Sequence, residues 1–373
     1  MLFEMGETKV IKMNRADFRA EELGSAIKAL ESGGLVVFPT ETVYGIAADA
    51  SNEKAVRKLA ELKSRKPEKP FTLHIGNLDQ LRKYVGNISP IAKLLIKKYW
   101  PGPLTIIFST PVLHGGDINL VGAARGHSTI GVRFPSDPVA QALLSAASVP
   151  VIAPSANPSG EEPAVTGEKA LKYYDGILPV VVDAGPSELG KPSTVVRAGR
   201  LKLDVLREGA IPASELESLK LKTVVFVCTG NTCRSPMAEA LFKLELAARL
   251  GVGVDELEEM GYEIYSAGIA AFDGGRASEK SVRVMADEGY DLSMHMTKLL
   301  TRDMVEEADL IVTMGYGHRD EIVYNNPQAA GKVKVVHPKG IADPIGQPVE
   351  VYRQTAMKIR KGLGPFVEMI LDK

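Results

Sequence analysis

An α/β chain of two domains is predicted by three observations. Short β-branched runs alternate with helical stretches along the chain, 373 residues exceed one ordinary core, and a polar connector interrupts the alternation after Gly209. In the first half LVVFPT (35–40), FTLHI (71–75), LTIIF (104–108), TIGVRFP (129–135), PVIAPS (150–155), ILPVVVDAG (177–185), STVVRA (193–198) and KLDVLRE (202–208) read as strands. KAVRKLAELK (54–63), SPIAKLLIKKYW (89–100) and PVAQALLSAA (138–147) read as helices. Strands crowd toward the end of this half, which predicts a twisted mixed sheet clothed in helices. AIPASELESLKLK is the connector, so the expected domains are 15–212 and 222–373, with 213–221 as linker. The second half reads strand, helix, strand, helix, helix, strand, helix, strand and a long last helix from near Val349. That order suits a small parallel α/β domain with Cys228 at the carboxyl end of its first strand, where such sheets bind ligands.

Composition narrows the class. With 45% hydrophobic and 24% charged residues, both halves can bury cores. A net charge of −1 carries no general nucleic-acid signature. No apolar run reaches about eighteen residues, and MLFEMGETKVIKMNRAD lacks the order of a signal peptide, so the expectation is a cytoplasmic protein with no membrane partner. Two cysteines five positions apart imply no disulfide framework and fit a reducing compartment. Those cysteines and six dispersed histidines have no zinc-site spacing, and no metal ligand is assigned.

The richest segment is TVVFVCTGNTCRSPMAEALF. A β-branched strand stops at Cys228, Thr229, Gly230, Asn231, Thr232 and Cys233 follow, and an amphipathic helix begins at Arg234 and Ser235. Such a loop turns backbone N–H groups toward the positive end of the helix, where an oxyanion or a thiolate is held. A thiol there, with a guanidinium beside it, is expected to act as a nucleophile near neutral pH. Downstream, Asp343-Pro344 places a carboxyl on a proline-stiffened turn, able to protonate a leaving atom.

From about residue 222 onward the chain resembles the low-molecular-weight protein phosphatases. The resemblance implies Cys228 as nucleophile, Arg234 as phosphate binder, Asp343 as general acid, Asn231 and Ser235 as residues that shape the loop, and a phosphorylated protein as substrate. It also implies that Cys233 can protect Cys228 as a disulfide. Related arsenate reductases relay electrons through further cysteines, which this chain lacks. Thr232 stands where tyrosine-specific members mostly carry a larger aliphatic residue and protein arginine phosphatases carry threonine, which implies phosphoarginine. Ile345 stands where an aromatic residue usually follows the Asp-Pro pair.

The first half carries PTETVYG (39–45), Lys63-Ser64-Arg65 ahead of Pro67 and Pro70, GVRFP, APSANPSG (153–160), STVV and LREGAI. Together these resemble the YrdC/TsaC-type threonylcarbamoyl-AMP synthases over roughly residues 20 to 212. The resemblance implies that L-threonine, bicarbonate and ATP, with magnesium, are joined into threonylcarbamoyl-adenylate for a downstream tRNA-modifying transferase. It assigns Lys63, Arg65, Lys69, Thr129, Ser155, Asn157 and Arg207 to ATP and bicarbonate. Thr40, His74, Arg133 and Ser193 go to L-threonine, Arg133 through the planar fork that suits a carboxylate. Members usually have a small or amide residue at the place of Lys69, and longer members carry a different C-terminal domain. The rival reading is an RNA-binding module fused to a protein tyrosine phosphatase.

Overall fold

The β-branched runs of the first half become strands β1 (Lys9–Lys12), β2 (Val36–Phe38), β3 (Gly45–Asp49), β4 (Leu73–His74), β5 (Leu104–Ser109), β6 (Thr129–Arg133), β7 (Val151–Ile152), β8 (Val180–Asp183), β9 (Thr194–Ala198) and β10 (Leu203–Arg207). The computed structural model describes residues 7–65, 69–109 and 129–371. Its chain divides into two units, one ending at Leu219 and one beginning at Lys220.

In the first unit the sheet runs β1-β8-β2-β3-β7-β4-β6-β5-β9-β10. Pairing is mixed in sense. β4 and β6 are parallel, as are β5 and β9, whereas β2–β3, β3–β7, β4–β7 and β5–β6 are antiparallel. The expected mixed sheet is therefore found. Strands β1 and β3 and helices Gly24–Glu31, Leu78–Tyr84 and Gly167–Tyr174 were not expected from the sequence. β3 is GIAAD, poor in β-formers, but all five of its residues are buried between neighbouring strands, so tertiary burial overrides propensity. One core joins Leu30, Val36, Phe38, Leu143 and Val182 across the sheet and two helices.

Helix Glu53–Leu62 places the Lys-x-Arg motif. Asn52 caps its first turn, accepting from Lys54 and Ala55 N–H, while Leu59 is fully buried and contributes about 1.5–3 kcal/mol. The helix stops because Ser64 takes a left-handed conformation, φ 44°, which swings Lys63 and Arg65 away from the helix path. Pro67, read as a helix stop, lies outside the described residues. The segment expected as linker is partly helical, at Ala213–Glu217, because Leu216 is fully buried.

In the second unit β11 (Lys222–Cys228), β12 (Tyr262–Gly268), β13 (Leu310–Thr313) and β14 (Val333–Val335) form a parallel sheet in the order β12-β11-β13-β14. The element order is the expected one, ending in helix Val349–Leu371. Alternation along β11 decides where the sulfur goes. Val224, Phe226 and Cys228 join the core of helices Arg234–Leu250 and Val349–Leu371, while Val225 and Val227 join the opposite core with Ile311 and Ile322. Cys228 thus points toward the start of the helix that follows it. No described helix is long and apolar enough to cross a membrane.

Candidate functional site

Each unit carries one candidate site. In the second, the loop after β11 is held by a network centred on Asn231, a non-glycine residue at φ 54°. Asn231 Nδ2 donates to Ser235 Oγ (3.0 Å) and Ser266 Oγ (2.9 Å), its Oδ1 accepts the Lys298 N–H (2.9 Å), and its carbonyl accepts from His295 Nε2 (2.9 Å). Four contacts hold a conformation that a side chain otherwise disfavours. Ser266 donates on to Glu239 (2.8 Å), which pairs with Lys243 at 2.6 Å. Burial opposes the charge of Glu239, but Lys243 and Ser266 outweigh it and leave its pKa lowered. His295 is kept neutral by burial, which lowers its pKa despite its bond to Asn231, so its Nε2 carries the proton it donates.

Cys228 Sγ lies 3.0 Å from Ser235 Oγ. Asn231 donates to that oxygen, and the single proton of the Ser235 hydroxyl has two acceptors within reach, Cys228 Sγ and Ala267 O at 3.3 Å. Arg234 is buried, its NH1 donates to Ile341 O (3.2 Å), its NH2 pairs with Asp343, and its Nε is buried without a partner. A buried guanidinium N–H without a partner beside the loop is a donor suited to an oxyanion. Asp343 stands 41% exposed and its other oxygen accepts the Ile345 N–H (3.2 Å), so the Asp-Pro turn presents the carboxyl to the mouth of the loop. Thr229 Oγ1 sits 3.0 Å from His318 Nε2 and within 3.4 Å of Arg234 NH2. Cys233 Sγ faces Ser278 Oγ (3.4 Å) and Tyr352 OH (3.6 Å), beside Thr232.

Cys228, Asn231, Arg234, Ser235 and Asp343 are therefore brought together, with Thr229, Gly230, Thr232 and Cys233 completing the loop. Sequence reasoning missed His295, His318, Ser266 and Gly268. A Cβ on Gly268 would lie 2.4 Å from Thr229 O and 2.9 Å from Asn231 N, so only glycine lets β12 approach the loop. It also missed Phe272, 89% exposed, two residues beyond Ala270, whose N–H donates to Thr229 O.

In the first unit the cations are placed by elements far apart in the chain, and most are held by internal partners. Lys63 Nζ donates to Ser155 O (2.8 Å), to Asn157 O and to Asn157 Oδ1 (3.3 Å), tying the helix end to the turn after β7. Burial first and the charge of Arg65 second lower the Lys63 pKa to about 8. Arg65 donates to Lys69 O (3.0 Å) and Pro70 O (2.5 Å) and stacks over Phe71. Lys69 enters this arrangement through its carbonyl, with its side chain exposed.

Arg133, at the end of β6, is the hub of a second cluster. Its NH2 donates to Thr42 Oγ1 (2.7 Å), Glu41 Oε1 (2.8 Å) and Thr40 Oγ1 (3.4 Å), and its Nε is buried without a partner. The resemblance assigned Arg133 to the threonine carboxylate, and one of its terminal nitrogens is already bound to Glu41. Thr40, fully buried, donates to Val43 O (2.6 Å) and so shapes the turn between β2 and β3. His74 is opposite Arg133 in the β4–β6 register. Burial, then the Arg133 charge, push its pKa down to about 3, so the imidazole is neutral. Arg207 NH2 donates to Ser193 O (2.7 Å) and Ser193 Oγ (3.3 Å), and Ser193 Oγ meets Thr105 Oγ1 at 2.9 Å. Burial of its guanidinium and the nearby Arg133 charge both lower the Arg207 pKa. Thr129 opens β6, roughly 13 Å from Arg133 at about 3.3 Å per residue, and does not join this cluster. The Ser155 turn is joined to the Thr40 turn by backbone, through the Gly45–Ser155 bridge and Ala156 N–H to Tyr44 O (2.7 Å).

Residues 28–209 match the Sua5/YciO/YrdC family model, described as telomere recombination, and residues 223–373 match the low molecular weight phosphotyrosine protein phosphatase model. A putative threonylcarbamoyl-AMP synthase of Methanocaldococcus jannaschii is 34% identical over 208 residues, covering 56% of this chain and 95% of that protein. The chain belongs to the threonylcarbamoyl-AMP synthase family, and its second unit is a low-molecular-weight phosphatase domain. The Bacillus subtilis threonylcarbamoyl-AMP synthase is 35% identical over 198 residues, 53% of this chain and 56% of that one. The chain spans between about half and two thirds of the first three curated relatives, at 56%, 64% and 49% of their lengths. A P. abyssi Sua5 double mutant shares the fold, at 24% identity and a TM-score of 0.51, with coverage of 88% of this chain and 98% of that one.

Proposed function

We propose that the protein is bifunctional. Its first unit makes threonylcarbamoyl-AMP and pyrophosphate from L-threonine, bicarbonate and ATP as its magnesium complex, and hands the adenylate to a transferase that modifies tRNA adenosine. The observation that carries this reading is the convergence of Lys63, Asn157 and Ser155 beside a second group of Arg133, Arg207, His74 and Ser193. Lys63 and Arg207 suit a triphosphate and bicarbonate, and Arg133 suits a carboxylate. Pyrophosphate release that requires threonine and bicarbonate together supports the reading; RNA binding with no such release replaces it with an RNA-binding module.

The second unit removes phosphate from proteins. Cys228 Sγ attacks phosphorus while Arg234 and the loop amides take the equatorial oxygens, and Asp343 protonates the departing atom. The same carboxylate then takes a proton from the water that hydrolyses the phosphocysteine, releasing phosphate and restoring the thiolate. The buried, unpartnered Nε of Arg234 beside Cys228 supports this reading best. Thr232 supports phosphoarginine as substrate, since a short hydroxyl side chain leaves room for a planar guanidinium. Phe272 favours the rival, because an exposed aromatic ring beside the loop can stack on phosphotyrosine. Hydrolysis of phosphoarginine and phosphotyrosine peptides side by side decides, with Thr232→Ile expected to move the ratio toward tyrosine. An unchanged ratio in that variant removes Thr232 from the argument.

A further inference from the structure

Glu41 is buried in the first unit and has no role in the scheme above. Its Oε1 accepts from Arg133 NH2 at 2.8 Å and its Oε2 accepts the Ser136 N–H at 3.2 Å, with 4% of the residue exposed. Arg133 is 5% exposed and is steadied on the same side by Thr42 at 2.7 Å. The pair is fixed but not saturated. Each carboxylate oxygen keeps a further lone pair, and the Arg133 Nε–H is buried with nothing to bond.

An α-amino acid brings two opposite charges. A guanidinium alone satisfies the carboxylate and leaves the ammonium within a cluster where Arg133 and Arg207 already repel one another. A guanidinium with its own carboxylate beside it satisfies both, because a buried ion pair of fixed orientation is the complement of a zwitterion. We propose that Glu41 and Arg133 together form the receptor for the amino-acid substrate, Glu41 taking the α-ammonium and Arg133 the α-carboxylate. The proposal rests on the reading of the first unit as a threonine-using synthase, and adds the subsite that selects an amino acid over a plain hydroxy acid.

Three ligands separate the two charges: L-threonine; L-threoninamide, which keeps the ammonium and loses the carboxylate charge; and 3-hydroxybutyrate, which keeps the carboxylate and lacks the ammonium. Calorimetric titration of the full chain with ATP present compares the wild type, Glu41→Gln and Glu41→Asp. Glu41→Gln is expected to weaken L-threonine and L-threoninamide about tenfold or more, to leave 3-hydroxybutyrate within about twofold, and to regain threonine affinity in part as Glu41→Asp. If Glu41→Gln weakens 3-hydroxybutyrate as much as threonine and spares threoninamide, Glu41 merely orients Arg133 and the proposal falls. ATP binding reports an intact fold. Should Glu41→Gln lose it, Glu41→Asp must shift the threoninamide to hydroxybutyrate ratio in the same sense, and an unshifted ratio overturns the proposal. A wild type that binds no threonine sinks the synthase reading and this proposal together, whereas threonine binding with the wrong analogue pattern sinks the proposal alone.

Discussion

The two candidate sites gather positive charge by opposite routes. The loop of the phosphatase domain assembles a thiol, a guanidinium and backbone donors within residues 228–235, and its shape is enforced from outside by Ser266, His295 and Lys298. The synthase cluster draws Lys63, Arg133 and Arg207 from elements far apart in the chain, and satisfies them with carbonyls of the Ser155 turn, with Glu41 and with Ser193. Each site keeps one buried guanidinium Nε without a partner, Arg234 in the local loop and Arg133 in the dispersed cluster, but the local site has its own loop as scaffold. A dispersed site needs internal partners to stop its cations repelling one another and the sheet they stand on.

If this contrast is right, the phosphatase fails through single local changes. Cys228→Ser is expected to lower aryl phosphate turnover by roughly 10⁴-fold or more and to leave pyrophosphate release intact. Equal loss of both activities would show that the two sites are not independent. Gly268→Ala forces a Cβ against Thr229 O and is expected to lower phosphatase kcat about a hundredfold, through displacement of the loop, with synthase rates unchanged. The synthase cluster should respond more gradually. Arg133→Lys removes the fork but keeps the charge, so the KM for threonine rises roughly ten- to a hundredfold while that for ATP changes little. A rise confined to ATP would place Arg133 in the wrong subsite.

A last effect is one of pH. His74 is neutral in the fold, with a pKa near 3 against 6.5 when unfolded, so between these values the unfolded chain binds the additional proton. Its contribution to stability is complete above about pH 6.5 and is lost as pH falls toward 3. Melting of the first unit across that window should show a shallower pH slope in His74→Gln. An identical slope would mean that other groups set the acid limb.

The legible parts of the molecule follow from the same contrast. The order of strands and α-helices in the second unit was readable, and the loop after Cys228 is one contiguous string. In the first unit β3 was hidden because GIAAD has no strand signature of its own; its burial comes from β2 and β7. Lys63 and Arg133 were readable from their motifs, but Glu41 was not singled out, although it lies inside PTETVYG. Nothing local reveals that its carboxylate meets a guanidinium 92 residues away. His295 and His318 were invisible for the same reason, being scattered histidines until the fold brings them to the loop.

The contact between Arg234 and Asp343 has one further consequence. A carboxylate tethered to the same chain is an intramolecular rival of every oxyanion in the medium, and its high effective concentration handicaps free phosphate and sulfate. Under the proposed dephosphorylation, a phosphorylated protein gains from the rest of its own binding surface and so would evict the tether, freeing Asp343 to protonate the leaving atom. In that scheme, return of Asp343 to Arg234 once only inorganic phosphate remains would help expel the product and reset the loop.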